Sequence, residues 1–261
     1  MGQTKATDGA VKQVWRLIDV GNTHIKTAST TDGTVGEVRL LPTTARPDQH
    51  DVKFELDAKL AAIACVNPAA LATAIQLAEA GGTDVRVLLK SDGTIFQSGL
   101  VTTDVKTPET TGVDRVLACL GAISVAPDRN VIVVDCGTAT TVNVMTADRC
   151  FRGGMIFPGQ RMLAASLHKG TAALPEVVPV DPHISVGKST REALESGVAA
   201  ALLGGIDRAV RTALDEFPDA SVFITGGDAE FVGRAFPRFQ RKDWLTLLGL
   251  HWYAVHASAG P

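Results

Sequence analysis

Apolar and polar positions along this chain fall into short alternating runs. Val14 to Val20 (VWRLIDV) is mostly apolar and predicts a buried strand; a Gly21-Asn22 turn separates it from a second run over His24 to Thr30. Asp32-Gly33 is a hairpin signal into a third strand around Val35 to Leu41, and residues 42–51 read as a polar loop. Ala61 to Val66 and Val85 to Leu89 predict two further strands. Between them Asn67 stands as an N-cap, Pro68 as a first helical residue and Gly81-Gly82 as the stop. Val116, Leu117 and Leu120 recur at helical spacing within a helix predicted from about Gly112 to Ser124. A β-branched run from Val131 ends at Asp135, a second run reaches Met145, and Val222 to Thr225 ends in Gly226-Gly227. Strands alternating with helices predict an α/β architecture.

Two stretches share a plan. In "VWRLIDVGNTHIKTA" and "VIVVDCGTATTVNVM" an apolar run ends in Asp-x-Gly, hydroxyl or amide residues follow, and a second apolar run begins. The repeat predicts two similar halves, residues 15–120 and 121–261, behind a mobile polar leader over residues 1–14. Two such halves facing each other would bring both Asp-x-Gly turns to a shared cleft.

Composition narrows the setting. With 261 residues, 45% hydrophobic and 20% charged, the chain reads as an ordinary globular protein. A net charge of −3 gives no electrostatic case for nucleic acid or an anionic membrane. No apolar run approaches the ~18 residues of a membrane span, and the leader lacks a signal peptide's apolar core. Cys65, Cys119, Cys136 and Cys150 are scattered without a C-x-x-C pair, as expected of reduced thiols in a cytoplasmic protein. The six histidines show no metal-ligand spacing.

The turns carry the candidate chemistry. A carboxylate at the end of a buried strand is costly without a cation beside it. The glycine that follows lets backbone N–H groups approach a ligand, and Thr138, Thr140 and Thr141 add donors suited to phosphate oxygens. Two facing turns could hold a polyphosphate whose charge Mg²⁺ neutralises; alternatively, each Asp caps its turn through an Asx-type hydrogen bond. In "PETTGVDRVLA", Asp114 could accept a proton from an alcohol and Arg115 could fix an anionic substrate, or the pair is a helix cap with surface charge. In "HISVGKSTREALESG", Ser189 or Thr190 reads as the N-cap of a long helix, a role compatible with ligand contact. Gly226-Gly227 suits either a stacked adenine ring or a tight turn.

Together these stretches resemble the type III pantothenate kinases of the acetate and sugar kinase, Hsp70 and actin superfamily. "DVGNTHIK" and "DCGTATT" resemble the two phosphate motifs, "TGVDR" the G-x-D-R segment, and "GGMIFPGQRMLAASLHKGTAALPEV" the G-G-x-x-x-P-G element with its helix. "VGKSTREALESGV" and "TGG" complete the series in order, over nearly the whole chain. The resemblance implies two ribonuclease-H-like halves, a homodimer, and phosphorylation of pantothenate by ATP with Mg²⁺ and a monovalent cation, K⁺ or NH₄⁺. It implies that Asp19, Val20, Gly21, Asn22, Thr23, His24, Ile25 and Lys26, with Thr138, bind ATP. Gly112, Val113, Asp114, Arg115 and Thr190 would contact pantothenate, with Asp114 as proton acceptor. Asp135 becomes the monovalent-cation ligand and Asp19 the residue that organises Mg²⁺ through water. The chain departs from the family at Val105, where a pocket tyrosine is common, and at Val113, where alanine is frequent. Val105 keeps open another alcohol as acceptor; a nucleotide-binding regulator without catalysis is the reading from a different class.

Overall fold

Trp15–Val20 (β1) and His24–Thr31 (β2) pair antiparallel, Leu60–Cys65 (β5) lies parallel to β1, and Asp84–Lys90 (β6) lies parallel to β5. Thr34–Val35 (β3) and Arg39–Pro42 (β4) both pair with β2. The expected single strand over Val35 to Leu41 is therefore two short ones, interrupted at Gly36, whose N–H reaches back to Ser29 O. The computed structural model describes residues 13–44, 58–79 and 82–258. Most of the predicted leader, the predicted loop beyond Thr44 and Gly81 lie outside these residues.

Val131–Cys136 (β8), Ala139–Met145 (β9), Cys150–Pro158 (β10), Ser221–Thr225 (β11) and Gln240–Arg241 (β12) form the second sheet in the order β12-β11-β8-β9-β10, and Thr102–Thr103 (β7) adds to its edge. The pairing repeats that of the first sheet. A hairpin leads, its second strand takes an antiparallel neighbour, and its first strand takes two parallel strands in succession. Even the ends correspond: Pro42 closes β4 opposite His24, and Pro158 closes β10 opposite Ala139. A helix joins the last two strands of each set, Leu71–Glu79 (α1) in the first and Ala229–Ala235 (α5) in the second. Asn67 caps the turn leading into α1 by accepting from Ala69 N–H, with Pro68 next, as the sequence predicts. Gln160–Lys169 (α3) and the long Thr190–Glu216 (α4) are inserted before β11.

Val113–Val125 (α2) and Leu245–Ser258 (α6) lie between the sheets. One core joins Trp15, Leu17 and Ala62 of the first sheet to Val131, Val133 and Phe223 of the second through Leu117, Leu120, Leu245 and Leu250. The opposite faces carry their own cores, against α1 and against α4 with α5. The fold is α/β with two similar sheets. Burying a large apolar side chain stabilises by about 1.5–3 kcal/mol, so the shared middle layer is the chief tie between the sheets. All four cysteines are free, and Cys65, Cys119 and Cys136 are buried. Among the described residues no helix is long and apolar enough to cross a membrane.

Candidate active site

Strand alternation decides where the acids point. Trp15 and Leu17 face the middle layer, so Asp19 faces it too, and Val131 and Val133 place Asp135 likewise. On the return strands Ala28 puts Lys26 on that face, and Met145 does the same for Thr141 and Asn143. Asp114 and Arg115 ride on the first turn of α2 in the same layer. Asp19 and Lys26 of the first sheet, Asp135 of the second and Asp114 of α2 thus converge at one end of the space between the sheets.

The two turns meet directly. Thr23 Oγ1 and Thr138 Oγ1 are hydrogen-bonded at 2.8 Å, although 115 positions separate them. Each turn is braced by the strand beyond its hairpin. Thr43 N–H donates to Thr23 O at 3.1 Å, and Gly159 N–H donates to Thr138 O at 3.2 Å. Gly159 is required there, since a Cβ would lie 2.4 Å from Gly137 O. Gly21, Asn22, Thr23 and His24 are accessible at the turn, whereas the side chains of Val20 and Ile25 are buried on the α1 face. For these two only the backbone can meet a ligand.

The halves differ in one respect that matters for charge. Asp19 stands opposite Lys26 across the hairpin, and Asp135 stands opposite Thr141. Asp19 is 2% exposed and accepts from Lys26 Nζ at 2.9 Å, a charge-assisted bond that satisfies it. The Asp19 charge holds the Lys26 ammonium above the ordinary lysine range, against burial, with Asp135 and Asp114 adding to the effect. Asp135 has no cation of its own hairpin. Burial raises its carboxyl, Lys26 opposes the rise and Asp19 adds to it.

Asp114 is raised to about 6, first by burial, then by the charges of Asp19 and Asp135. Its Oδ1 accepts from Arg115 N–H at 2.8 Å, and the carboxylate folds over Gly112, where a Cβ would lie 2.7 Å from that oxygen. Val113 turns its side chain into the core and donates its N–H to Ser91 Oγ at 3.1 Å, fixing the start of α2. Arg115 donates Nε to Asn143 Oδ1 at 2.7 Å and lies over the Phe151 ring, 5.6 Å from its centroid. Asn143 donates Nδ2 in turn to Thr141 Oγ1 at 2.7 Å. Sequence reasoning missed Asn143 and Phe151. The signal for Asn143 was present, as an amide inside an apolar run that needs a buried partner.

Gly226 makes a tight turn, one of the two readings the sequence left open: at φ +95° it passes so close to Asp135 that a Cβ would lie 2.5 Å from Oδ1. Ser189 caps α4 by accepting from Glu192 N–H at 3.3 Å, Glu192 returns an acceptor to Lys188 N–H at 2.7 Å, and Thr190 follows as an exposed first helical residue. Among the described residues no hydrogen bond joins Thr190 to residues 112–115. Val105 is half-buried beside Gly153, whose Cβ would lie 3.4 Å from Val105 Cγ1.

Residues 17–212 match the family model described as type III pantothenate kinase. A type III pantothenate kinase from Janthinobacterium sp. (strain Marseille) is 30% identical over 93% of this chain and 98% of its own. One from Christiangramia forsetii is 30% identical over 83% of this chain and 87% of its own. A third, from Herminiimonas arsenicoxydans, is 37% identical over 57% of this chain, and there the alignment spans 59% of the relative's length. Among solved structures, a Campylobacter jejuni protein described as a Baf family transcriptional activator superposes with a TM-score of 0.60 at 16% identity, over 94% of this chain and 99% of that one. At that identity the likeness is one of fold.

Proposed function

The chain belongs to the type III pantothenate kinase family and phosphorylates pantothenate with ATP; on that premise we propose that Asp114 is the base that takes the proton of the acceptor's primary hydroxyl. The observation that carries this reading is the convergence of Asp114 with both Asp-x-Gly turns, whose threonine hydroxyls touch. A triphosphate lying along the two turns meets backbone N–H groups and the hydroxyls of Thr23 and Thr138. Lys26 supplies fixed positive charge beside it. Protein groups in such transfers position the reactants and balance developing charge. Gly112 to Arg115 then hold pantothenate in the cleft between the two proposed halves, residues 15–120 and 121–261, of which the first lends β7 to the second sheet.

The donor set fits the cations this chemistry uses. Asp135 is half-buried opposite a threonine rather than a lysine, so a monovalent ion, K⁺ or NH₄⁺, would complete its charge. Asp19, already bonded to Lys26, would orient Mg²⁺ through water. When bound, these ions neutralise the phosphate charge. Turnover is expected to rise when K⁺ replaces Na⁺, and Asp135→Asn should abolish that difference; an ADP-release assay in the two salts reads both. An unaltered K⁺ response in Asp135→Asn would place the ion elsewhere.

The pH dependence has a definite sign. A base must be ionised to work, and the Asp114 carboxyl is held at about 6. The kcat/KM profile should therefore be flat above that value and fall about tenfold per pH unit below it. A profile that stays level down into the ordinary carboxylate range would remove Asp114 from the role.

The homodimer belongs to the same proposal. Ile156, Met162, Val180 and Val186, on β10, α3 and the segment leading to α4, are exposed apolar side chains that a second copy would cover. A second copy could also bring Thr190 to pantothenate. Four free thiols agree with a reducing cytoplasm.

A further inference from the structure

Asn143 is fully buried in β9 between two apolar neighbours, Val142 and Val144, yet its amide is bonded at both ends. An amide shut away from water is costly unless its polar atoms are paired. The direction of each bond follows from the partners. A guanidinium has only donors, so the amide oxygen must face Arg115 Nε, at 2.7 Å, and the amide nitrogen then donates to Thr141 Oγ1, also at 2.7 Å. β10 makes room for this arrangement. Its register shifts between Phe151 and Gly153, which stands at φ +91°. Gly154 then passes so close that a Cβ would lie 2.8 Å from Asn143 Oδ1 and 2.0 Å from Val142 O. On the near side of that bulge the Phe151 ring lies against the guanidinium, 5.6 Å from centroid to Cζ.

These contacts occupy Nε and one face of Arg115. Among the described residues neither of its Nη groups has a hydrogen-bond or ion-pair partner. A half-buried arginine held in this way presents a fixed fork, the geometry that takes a carboxylate or a phosphate through two bonds. The strand decides between the two anions. Asn143 stands four positions beyond Ala139, where β9 opens just after the Thr138 turn, so about 13 Å of extended chain separates the amide from that turn. An anion bonded to Arg115 is therefore remote from phosphates lying on the turns. Pantothenate carries its carboxylate at the end opposite its primary alcohol. We propose that Asn143 is a positioning residue that holds Arg115 for the acceptor's carboxylate, and so sets the preference for an anionic over a neutral acceptor. The inference rests on the kinase reading for the identity of the acceptor. Without the amide the positive charge remains but the fork can turn, so the loss falls on ground-state binding of the acceptor rather than on the transfer step.

The test compares pantothenate with pantothenamide, its neutral amide, in wild type, Asn143→Leu and Asn143→Asp, by steady-state kinetics, calorimetric binding and thermal unfolding. Wild type should favour pantothenate by about 10- to 100-fold in KM and Kd, the range for hydrogen bonds to a charged group. Asn143→Leu, close in size but without either bond, should raise the pantothenate KM and Kd about tenfold, the effect of one such bond. The change in kcat should be several-fold smaller, and the pantothenamide values should stay close to wild type. Asn143→Asp returns an acceptor to Nε and should recover part of the loss. Arg115→Lys keeps the charge without the fork and should show the same selective loss, to which Asn143→Leu adds little in the double variant. Equal affinity of wild type for the two acceptors, an equal loss for both in Asn143→Leu, or fully additive losses in the double variant overturns the proposal. Should Asn143→Leu fail to fold, Asn143→Asp and Arg115→Lys decide by the same comparison of acceptors. A wild type that binds pantothenate with this preference yet makes no ADP with it overturns the functional reading and leaves the Asn143 assignment standing.

Discussion

Asp114→Asn is expected to lower kcat by roughly 10²–10⁴-fold, a barrier increase of about 3–5 kcal/mol, with the KM for ATP nearly unchanged. The amide keeps the oxygen that accepts from Arg115 N–H, so the first turn of α2 and its Ser91 tie should persist. What is lost is the capacity to take a proton. Asp114 also sits among the charges of Asp19 and Asp135, so a neutral residue there relieves repulsion. The variant should therefore melt no lower than wild type. Steady-state kinetics together with thermal unfolding separates the two effects: a low kcat in a well-folded protein supports the base, whereas full turnover would assign the proton to another group.

The largest expected effect on stability lies far from the chemistry, where α2 and α6 cross. A Cβ on Gly249 would lie 1.8 Å from Leu117 O, and one on Gly121 would lie 2.1 Å from Leu245 O. The two backbones are in contact through each other's glycine, and the obstacles are carbonyl groups, which cannot rotate away as a side chain can. Gly249→Ala gains about 1 kcal/mol of helix propensity. It must also push apart the helices that link the sheets, and overpacking of that kind commonly costs about 1–3 kcal/mol and occasionally more. With backbone as the obstacle, a net loss of roughly 2–4 kcal/mol is expected, or about 4–16 °C in Tm. Differential scanning calorimetry reads it directly. A Tm equal to or above wild type would show that the helices are not in backbone contact at this crossing.

The Asp-x-Gly repeat was legible because both determinants are local. A continuous apolar run announces a strand buried on both faces with the acid at its end, and a glycine fixes the turn. The same local logic found the Asn67 cap and the start of α2 at Gly112. What the sequence concealed depends on partners distant along the chain. Lys26 and Thr141 hold equivalent places opposite the two acids, but only strand register reveals it, because the first hairpin loop is one residue longer than the second. Asn143 and Phe151 hold Arg115 from a sheet that local patterning does not connect to it. α6 lacks a clear apolar stripe because it is packed between the first sheet and α2. Its Leu245, Leu247, Gly249, Leu250 and Tyr253 are all buried. β7 is too short to announce itself and exists by pairing with β10. Val105 drew attention as a missing tyrosine, and family membership makes pantothenate the acceptor despite it.

The most direct measurement follows ATP consumption by the purified protein with and without pantothenate, with the organic product identified by mass spectrometry. One ADP should be released for each pantothenate that gains a phosphate on its primary alcohol, and none when pantothenate is withheld. ADP release at the same rate without pantothenate, or intact pantothenate after ATP has been consumed, would contradict the assignment of Asp114 and the paired turns to this transfer.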